Sequence, residues 1–217
     1  MTRLVNSPSP RARSRQIART EELILGAAHR LFLERGYAAT RLTDVAESAQ
    51  VGARTVYVRF GTKAALFKRV VDVAIVGDTL PIDVMGRDWT SHALHAPTAF
   101  ERCDAAAHQG RMIMERTGEL FATAQQAAAI EPVIAIFWEE GRAGSRHVQE
   151  VFWTTMHDDG LLHPECDLRW IIDTGVVLAN AEGYLLALRM HRWNLDRYEL
   201  WLRMSFRQLA VSSATGY

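Results

Sequence analysis

Short runs of helical apolar periodicity, separated by small interruptions, organise the first third of the chain. From Thr20 onward one face is apolar, which predicts a helix that ends at Gly36. Two-turn helices are predicted at 42–49 and 53–60, and a longer helix is predicted after a break at Gly61 and Thr62. The first helix is expected to bury Leu23, Ile24, Ala27, Ala28, Leu31 and Phe32.

Beyond a stretch at 79–97 that is rich in proline and glycine and has little period, helical patterns return. They predict further helices near 98–117, 118–129, 132–158, 167–189 and 196–211. The pattern therefore predicts an all-α chain with three parts. These are a flexible basic arm at 1–16, a helix-turn-helix domain with its connecting helix at 17–79, and a larger helical domain at 80–217.

The segment 42–60 has the proportions of a helix-turn-helix. Two short helices joined by a three-residue break place the second across the first, so that the second can enter a major groove. With Val56 and Phe60 facing inward, the outward side chains of the second helix are Arg54, Thr55, Val58 and Arg59, with Tyr57 at the margin.

Charge changes this picture because it is unevenly distributed. The formal net charge is zero, which by itself argues against a nucleic-acid partner. Residues 1–79, however, hold 13 basic and 7 acidic side chains, a balance of +6, whereas residues 80–217 hold 12 and 18, a balance of −6. The first twenty residues contain five arginines and no acid. A DNA-facing N-terminal part is therefore expected, with an arm that is either inconsequential or tracks an adjacent minor groove.

The N-terminal motifs closely resemble the TetR family of bacterial repressors over about residues 20–67. The residues that carry the resemblance include Glu34-Arg35-Gly36-Tyr37, Thr55-Val56-Tyr57, Phe60 and Lys63. It implies that Thr55, Tyr57 and Lys63 bind phosphates and that arginines of the second helix can read guanine. The DNA-binding residues it implies are Arg41, Thr43, Arg54, Thr55, Tyr57, Arg59 and Lys63.

Three positions depart from the family pattern. Gln50 stands in place of a turn glycine, so the backbone either accepts a left-handed non-glycine residue or turns differently. Gly52 stands in place of a capping serine, which removes a side-chain cap and a phosphate donor. Arg41 replaces a common threonine. These departures concern the details of docking rather than the class of protein.

The C-terminal domain resembles the family only in architecture, which implies a small-molecule sensor and a dimer. Aromatic and methionine side chains suit an apolar ligand. The candidate ligand-binding residues are Met112, Met114, Phe121, Phe137, Trp138, Phe152, Trp153 and Trp170. The last two helices are expected to form a four-helix bundle with a second copy, helped by a row of small residues. The candidate interface residues are Ile172, Gly175, Ala179, Gly183, Leu202 and Phe206.

The most concrete interpretation is a cytoplasmic, homodimeric repressor that leaves a pseudo-palindromic operator when a small apolar or aromatic ligand binds. Two alternatives stay open: a helical small-molecule-binding protein or enzyme with a vestigial helix-turn-helix, and a ligand-independent DNA-binding protein. We expect no enzymatic activity, cofactor, metal or membrane partner. No catalytic arrangement is recognisable, and the histidines have no persuasive metal spacing.

Overall fold

A computed structural model describes residues 10–213, which fold into α-helices without any strand in that range. The chain divides into two compact units, Met1–Val70 and Val71–Tyr217. The division falls inside a helix, earlier than the 79–97 stretch at which the sequence places the domain boundary. The first four helices are α1 (Pro10–Ala39), α2 (Leu42–Ser48), α3 (Ala53–Phe60) and α4 (Lys63–Val76).

Helix α1 begins ten residues before the predicted start at Thr20, so a flexible arm through residue 16 was the wrong expectation for residues 10–16. Residues 1–9 lie outside the described residues. No glycine and no later proline interrupts residues 11–25, and arginine, alanine and glutamine favour helix. The hydroxyl of Thr20 donates to the Gln16 carbonyl at 2.8 Å, as a residue inside a helix does, rather than capping one.

The first unit is held together by aromatic contacts between α1 and α4. The ring of Phe67 packs edge-on against Phe32 at 4.8 Å and against Tyr37 at 5.4 Å. The predicted stop at Gly36 matches a break in α1, where φ is 75°. Leu23 is half exposed and Leu25 is buried instead, so the apolar face of α1 is rotated slightly from the predicted one.

The second unit contains six further helices and one π-helical turn in its described part. The predicted boundary near residue 117 is wrong, because one continuous helix covers both predicted segments. A short helix also forms within the 79–97 stretch, where none was expected. The elements are α5 (Asp88–His95), α6 (Ala99–Ala128), α7 (Pro132–Asp158), α8 (Leu168–Leu178), α9 (Ala181–Leu185), the π-turn Leu186–Met190 and α10 (Leu195–Val211).

The predicted single helix at 167–189 is broken at Asn180. The side chain of Asn180 accepts a hydrogen bond from the Gly183 amide at 2.7 Å and caps α9, which leaves α8 at an angle of 46°. Gly175, Ala179 and Gly183 therefore do not form the continuous small-residue row that the sequence predicts. A four-residue spacing defines one face only while the helix continues.

The core of the second unit brings α6, α7, α9 and α10 together. Trp153 and Phe206 are both inaccessible to solvent, with ring centroids 5.6 Å apart. Tyr184 packs edge-on against Tyr198 and lies so close to Gly118 that a β-carbon there would come within 2.4 Å of the tyrosine ring. Glycine at position 118 is what allows α9 to approach α6.

Two further properties concern residues 10–213 only. No single helix among them is long and apolar enough to cross a membrane. The bent pair Leu168–Leu178 and Ala181–Met190 reaches the required length and composition only when its two parts are taken together. Within the same residues, no group of three or more histidine, cysteine, aspartate or glutamate side chains is placed to hold a metal ion.

Candidate nucleic-acid interface

Helix α3 presents a polar and aromatic face to solvent because its opposite face is anchored. Val56 is completely buried, as the sequence predicts. The side chains around it, Arg54, Thr55, Tyr57 and Val58, are all exposed, and Val58 reaches 78% exposure. An exposed valine and tyrosine beside an arginine and a threonine offer apolar, hydrogen-bonding and cationic groups on one two-turn helix.

The turn before α3 keeps its shape without the residues that usually favour it. Gln50 has φ of 55°, so the backbone accepts a left-handed non-glycine residue, the first of the two alternatives that the sequence leaves open. Gly52 occupies the N-cap of α3 in an extended conformation, and no side-chain hydrogen bond caps the helix. The predicted loss of a cap is therefore present in the structure.

Arg59 does not face DNA freely, although the sequence assigns it to DNA binding. Its guanidinium donates to Oε2 of Glu21 at 2.8 Å and 3.3 Å. Arg69 donates in the same two-pronged way to Oε1 of Glu21 at 3.1 Å and 3.2 Å. One carboxylate thus joins α1, α3 and α4, and the guanidinium group of Arg59 is engaged within the unit, where it shares the single negative charge of Glu21 with Arg69.

Despite partial burial, the contacts with Arg59 and Arg69 lower the pKa of Glu21. Partial burial by itself raises the pKa of the carboxyl group, but the hydrogen bonds and charges of Arg59 and Arg69 outweigh it. The pKa therefore lies below its ordinary value of 4.5, and the side chain is ionised at neutral pH.

Lys63 is also engaged within the unit. Its Nζ donates to the carbonyl oxygens of Tyr37 and Ala38 at 2.8 Å and 3.3 Å and lies 4.2 Å from the centre of the Tyr37 ring. Because these carbonyls end α1, the ammonium group stabilises the C-terminal end of that helix. Thr62 caps α4 by accepting a hydrogen bond from the Ala65 amide at 3.1 Å.

Arg41 and Thr43 lie at the start of α2, and both are exposed. Arg41 occupies the N-cap position and forms no capping hydrogen bond. These two residues border the helix-turn-helix on the side of α2. Together with Arg54, Thr55 and Tyr57 they are the members of the predicted DNA-binding set whose side chains are solvent-exposed.

Sequence reasoning missed Glu21, the residue that decides the orientation of Arg59. Glu21 is separated from Arg59 by 38 positions and from Arg69 by 48, so no local spacing links them. The one sequence signal for this contact was chemical. Glu21 is an acidic residue next to the apolar residues of α1, and a partly buried carboxylate needs a partner.

The predicted ligand-binding residues differ in burial. Phe152 and Trp153 pack in the core of the second unit, and Trp170 is 45% exposed. Phe121 and Trp138 form a half-buried edge-on pair with ring centroids 6.0 Å apart. The remaining members are Met114, which is buried, and the half-buried Met112 and Phe137.

The predicted interface residues are likewise divided. Leu202 and Phe206 are buried within the chain itself, so they are not available to a second copy. Gly175 is also buried, and a β-carbon there would lie 2.5 Å from Nε1 of Trp153. Ile172, Ala179 and Gly183 are half-buried. The exposed apolar side chains of the last helices are different residues, namely Trp170, Val177, Leu186, Met190, Leu200, Met204 and Val211.

Helices α2 and α3, the anchored Val56 and the exposed face around it form a helix-turn-helix, the arrangement that places a recognition helix in a major groove. Residues 24–70 match the family model described as bacterial regulatory proteins, tetR family. No curated protein sequence matches the chain significantly.

Several solved structures share the fold over most of their length. The fatty acid degradation regulator FadR from Bacillus halodurans aligns with a TM-score of 0.66 and 14% identity over 88% of this chain and 94% of its own. A TetR-like transcriptional regulator from a Rhodococcus species gives 0.60 and 15% over 87% and 94%. MexZ, a repressor responsible for antibiotic resistance in Pseudomonas aeruginosa, gives 0.60 and 20% over 89% and 96%. The chain is therefore similar to TetR-family regulators, by sequence in its DNA-binding helices and by fold over most of its length.

Proposed function

We propose that the protein is a repressor that binds a pseudo-palindromic operator as a homodimer and leaves it when a small apolar or aromatic ligand binds. The observation that supports DNA recognition is the exposed face of α3, where Arg54, Thr55, Tyr57 and Val58 surround the buried Val56. Arg54 is the cationic group of this face that is not paired with an acid, so it is the proposed guanine-reading residue.

Val58 adds a second element of specificity. A valine that is 78% exposed has no packing role in its own unit, yet its two methyl groups suit the methyl group of thymine in a major groove. Thr55 and Tyr57 supply hydroxyl groups for phosphates on either side of the groove. The proposed half-site therefore contains a G·C pair and a T·A pair within the few base pairs that α3 covers.

Dimerisation is supported by apolar side chains that the chain itself leaves uncovered. On α8 these include Trp170 and Val177, and on α10 Leu200 and Met204, each 45% to 64% exposed. A second copy that covers them buries apolar surface on both partners. The two α3 helices then address half-sites about one DNA turn, ~34 Å, or a multiple of it apart.

For the ligand we propose a site beside α6 and α7 near Phe121, Phe137 and Trp138, the half-buried aromatic members of the predicted set. Its signal would pass through Arg116 on α6, whose guanidinium donates to the carbonyl oxygens of Ala74 and Ile75 at the end of α4, both at 2.8 Å. A shift of α6 would therefore move the end of α4, the helix that continues into the DNA-binding unit.

A ligand-independent DNA-binding protein is the second candidate. It is favoured by the burial of Phe152 and Trp153, two of the predicted ligand-binding residues, in the core of the second unit. The two candidates differ in one measurement. Release of the operator complex by any member of a panel of apolar and aromatic compounds supports the first, and retention against the whole panel supports the second.

The DNA-binding proposal is tested by selection from a random duplex library, followed by affinity measurement on the selected sequence. The full chain should enrich a pseudo-palindrome, and Arg54→Ala and Tyr57→Ala should each weaken its binding by at least tenfold. Arg197→Ala, an exposed arginine of the second unit, is the matched control and should bind like the wild type. Failure to enrich any sequence, or equal affinity of all three variants, would contradict the assignment of α3 as the DNA-recognition helix.

A further inference from the structure

The first three turns of α1 carry a dense and unpaired positive charge. Residues 10–20 are helical and include no acidic residue. Their four arginines are all exposed, and within residues 10–213 none of their side chains forms an ion pair or hydrogen bond. These residues are Arg11, Arg13, Arg15 and Arg19.

The geometry of the helix sorts these arginines. Arg11, Arg15 and Arg19 recur every four residues, so they lie along one side of α1 at intervals of about 6 Å. Arg13 lies on another side, where it lines an open groove of about 410 Å³ together with Gln16, Thr20, Thr55 and Arg59. Because Thr55 and Arg59 belong to α3, the start of α1 runs alongside the helix that is proposed to read DNA.

Such a helix start is electrostatically unfavourable on its own. Positive side chains oppose the dipole at a helix N-terminus, and like charges four residues apart repel one another. The nearest acid, Glu21, already binds Arg59 and Arg69. A polyanion that runs past α3 would supply the missing counter-charge.

We propose that residues 10–20 of α1 form a second DNA-contacting element, in which Arg11, Arg15 and Arg19, which lie outside the groove between α1 and α3, bind backbone phosphates that flank the segment read by α3. This inference rests on the proposed DNA binding. Because the segment is a helix about 10–12 Å wide, it does not fit inside a minor groove about 6 Å wide. Contacts to phosphates therefore replace the minor-groove tracking that an extended arm would allow.

The test compares two triple variants of the full chain that lose the same charge. The first is Arg11→Gln, Arg15→Gln, Arg19→Gln, and the control removes three exposed arginines of the second unit by Arg169→Gln, Arg192→Gln, Arg197→Gln. Glutamine preserves helix propensity, and circular dichroism checks that helix content is unchanged. Affinities are measured from 50 to 200 mM salt on the selected operator and on a duplex of scrambled sequence.

Loss of three phosphate contacts lowers the salt slope by about 2.7 per protomer, so the advantage of the wild type over the first variant should shrink about 40-fold across this range for each protomer on the duplex, and by about the square of that factor for a bound dimer. The shrinkage should be similar on both duplexes, because phosphates carry no sequence information. A slope equal to that of the control variant would overturn the inference. So would a loss confined to operators with A·T-rich flanks, which would indicate minor-groove readout instead.

The same experiment separates this inference from the proposed function. Arg54→Ala, which removes the proposed guanine-reading residue, is expected to weaken operator binding far more than binding to the scrambled duplex, whereas the first triple variant weakens both. Suppose instead that the triple variant keeps its preference for the operator and shows an unchanged salt slope. This result would leave the role of α3 in DNA recognition intact and would overturn the role of residues 10–20 in DNA binding. Absence of any DNA binding by the wild-type chain would overturn both.

Discussion

The ion cluster centred on Glu21 offers a direct prediction about stability. Replacement of Glu21 by glutamine keeps the size of the side chain and removes its charge. Two arginines then lose a common carboxylate, to which they donate four hydrogen bonds of 2.8 to 3.3 Å. The glutamine carbonyl accepts from only one guanidinium, and its amide group faces the other. Arg59 and Arg69 are consequently left close together without an intervening anion.

The size of the effect follows from partial burial. The exposed fractions are 21% for the Glu21 side chain, 24% for Arg59 and 34% for Arg69. Fully exposed pairs contribute less than about 1 kcal/mol each, and hydrogen bonds to charged groups about 1.5–3 kcal/mol. We therefore expect Glu21→Gln to reduce the free energy of unfolding of the first unit by about 2 kcal/mol at neutral pH.

Hydrogen exchange is the suitable assay because all six tryptophans lie beyond residue 70, so tryptophan fluorescence does not report on the first unit. A loss of about 2 kcal/mol accelerates exchange at the slowest amides of α1 and α3 about 30-fold. Glu22→Gln is the matched control, since it makes the same charge change at an exposed neighbouring position. Equal exchange in the two variants would refute the structural role of the cluster.

The pH dependence has a definite sign. The pKa of Glu21 is lowered in the folded state, so its carboxylate contributes stability above the ordinary pKa of 4.5 and loses this contribution as pH falls through the folded value. The difference between wild type and Glu21→Gln should therefore be constant from pH 6 to 8 and shrink below pH 4.5. A difference that grows on acidification would contradict this reasoning.

Four other substitutions follow from the packing, capping and exposure of single residues. Gly118→Ala should destabilise the second unit by about 1–3 kcal/mol in urea denaturation because Tyr184 must move, whereas Gly141→Ala, which meets no atom within 4 Å, should stabilise α7 by about 0.5–1 kcal/mol. Gly52→Ser should slow hydrogen exchange in α3 and stabilise the first unit by about 0.5–1 kcal/mol, because serine fits the extended backbone of this N-cap position. Unchanged exchange would show that the serine does not cap α3. Met204→Glu should convert the proposed dimer to a monomer in sedimentation, and a dimer that persists in this variant would place the interface elsewhere.

The helix-turn-helix could be predicted almost residue by residue. The sequence predicts helices at 42–49 and 53–60, and the structure forms Leu42–Ser48 and Ala53–Phe60. Both helices are bounded by local signals, and the burial of Val56 follows from the same three- and four-residue spacing. Capping of α4 by Thr62 is likewise a contact across three residues.

The roles of the positively charged side chains were decided by contacts between distant segments. Arg59 and Lys63 stand in sequence positions that suit DNA, yet Arg59 binds Glu21, 38 positions away, and Lys63 binds the Tyr37 carbonyl, 26 positions away. Local spacing carries no information about such partners. The same limitation applies to Leu202 and Phe206, whose apolar character is equally compatible with an interface and with the core in which they lie.

By itself, the sequence determined the all-helical class, the position of the helix-turn-helix and the positive charge of the N-terminal part of the chain. Periodicity, turn residues and local charge can be read from residues that are close in sequence. Tertiary structure alone decided which of the predicted cations remain available to DNA. It also showed that the basic segment at 10–20 continues α1 beside α3. The physical reason is that an arginine reaches several ångströms from its backbone, so its partner is set by the fold around it rather than by its neighbours in the chain.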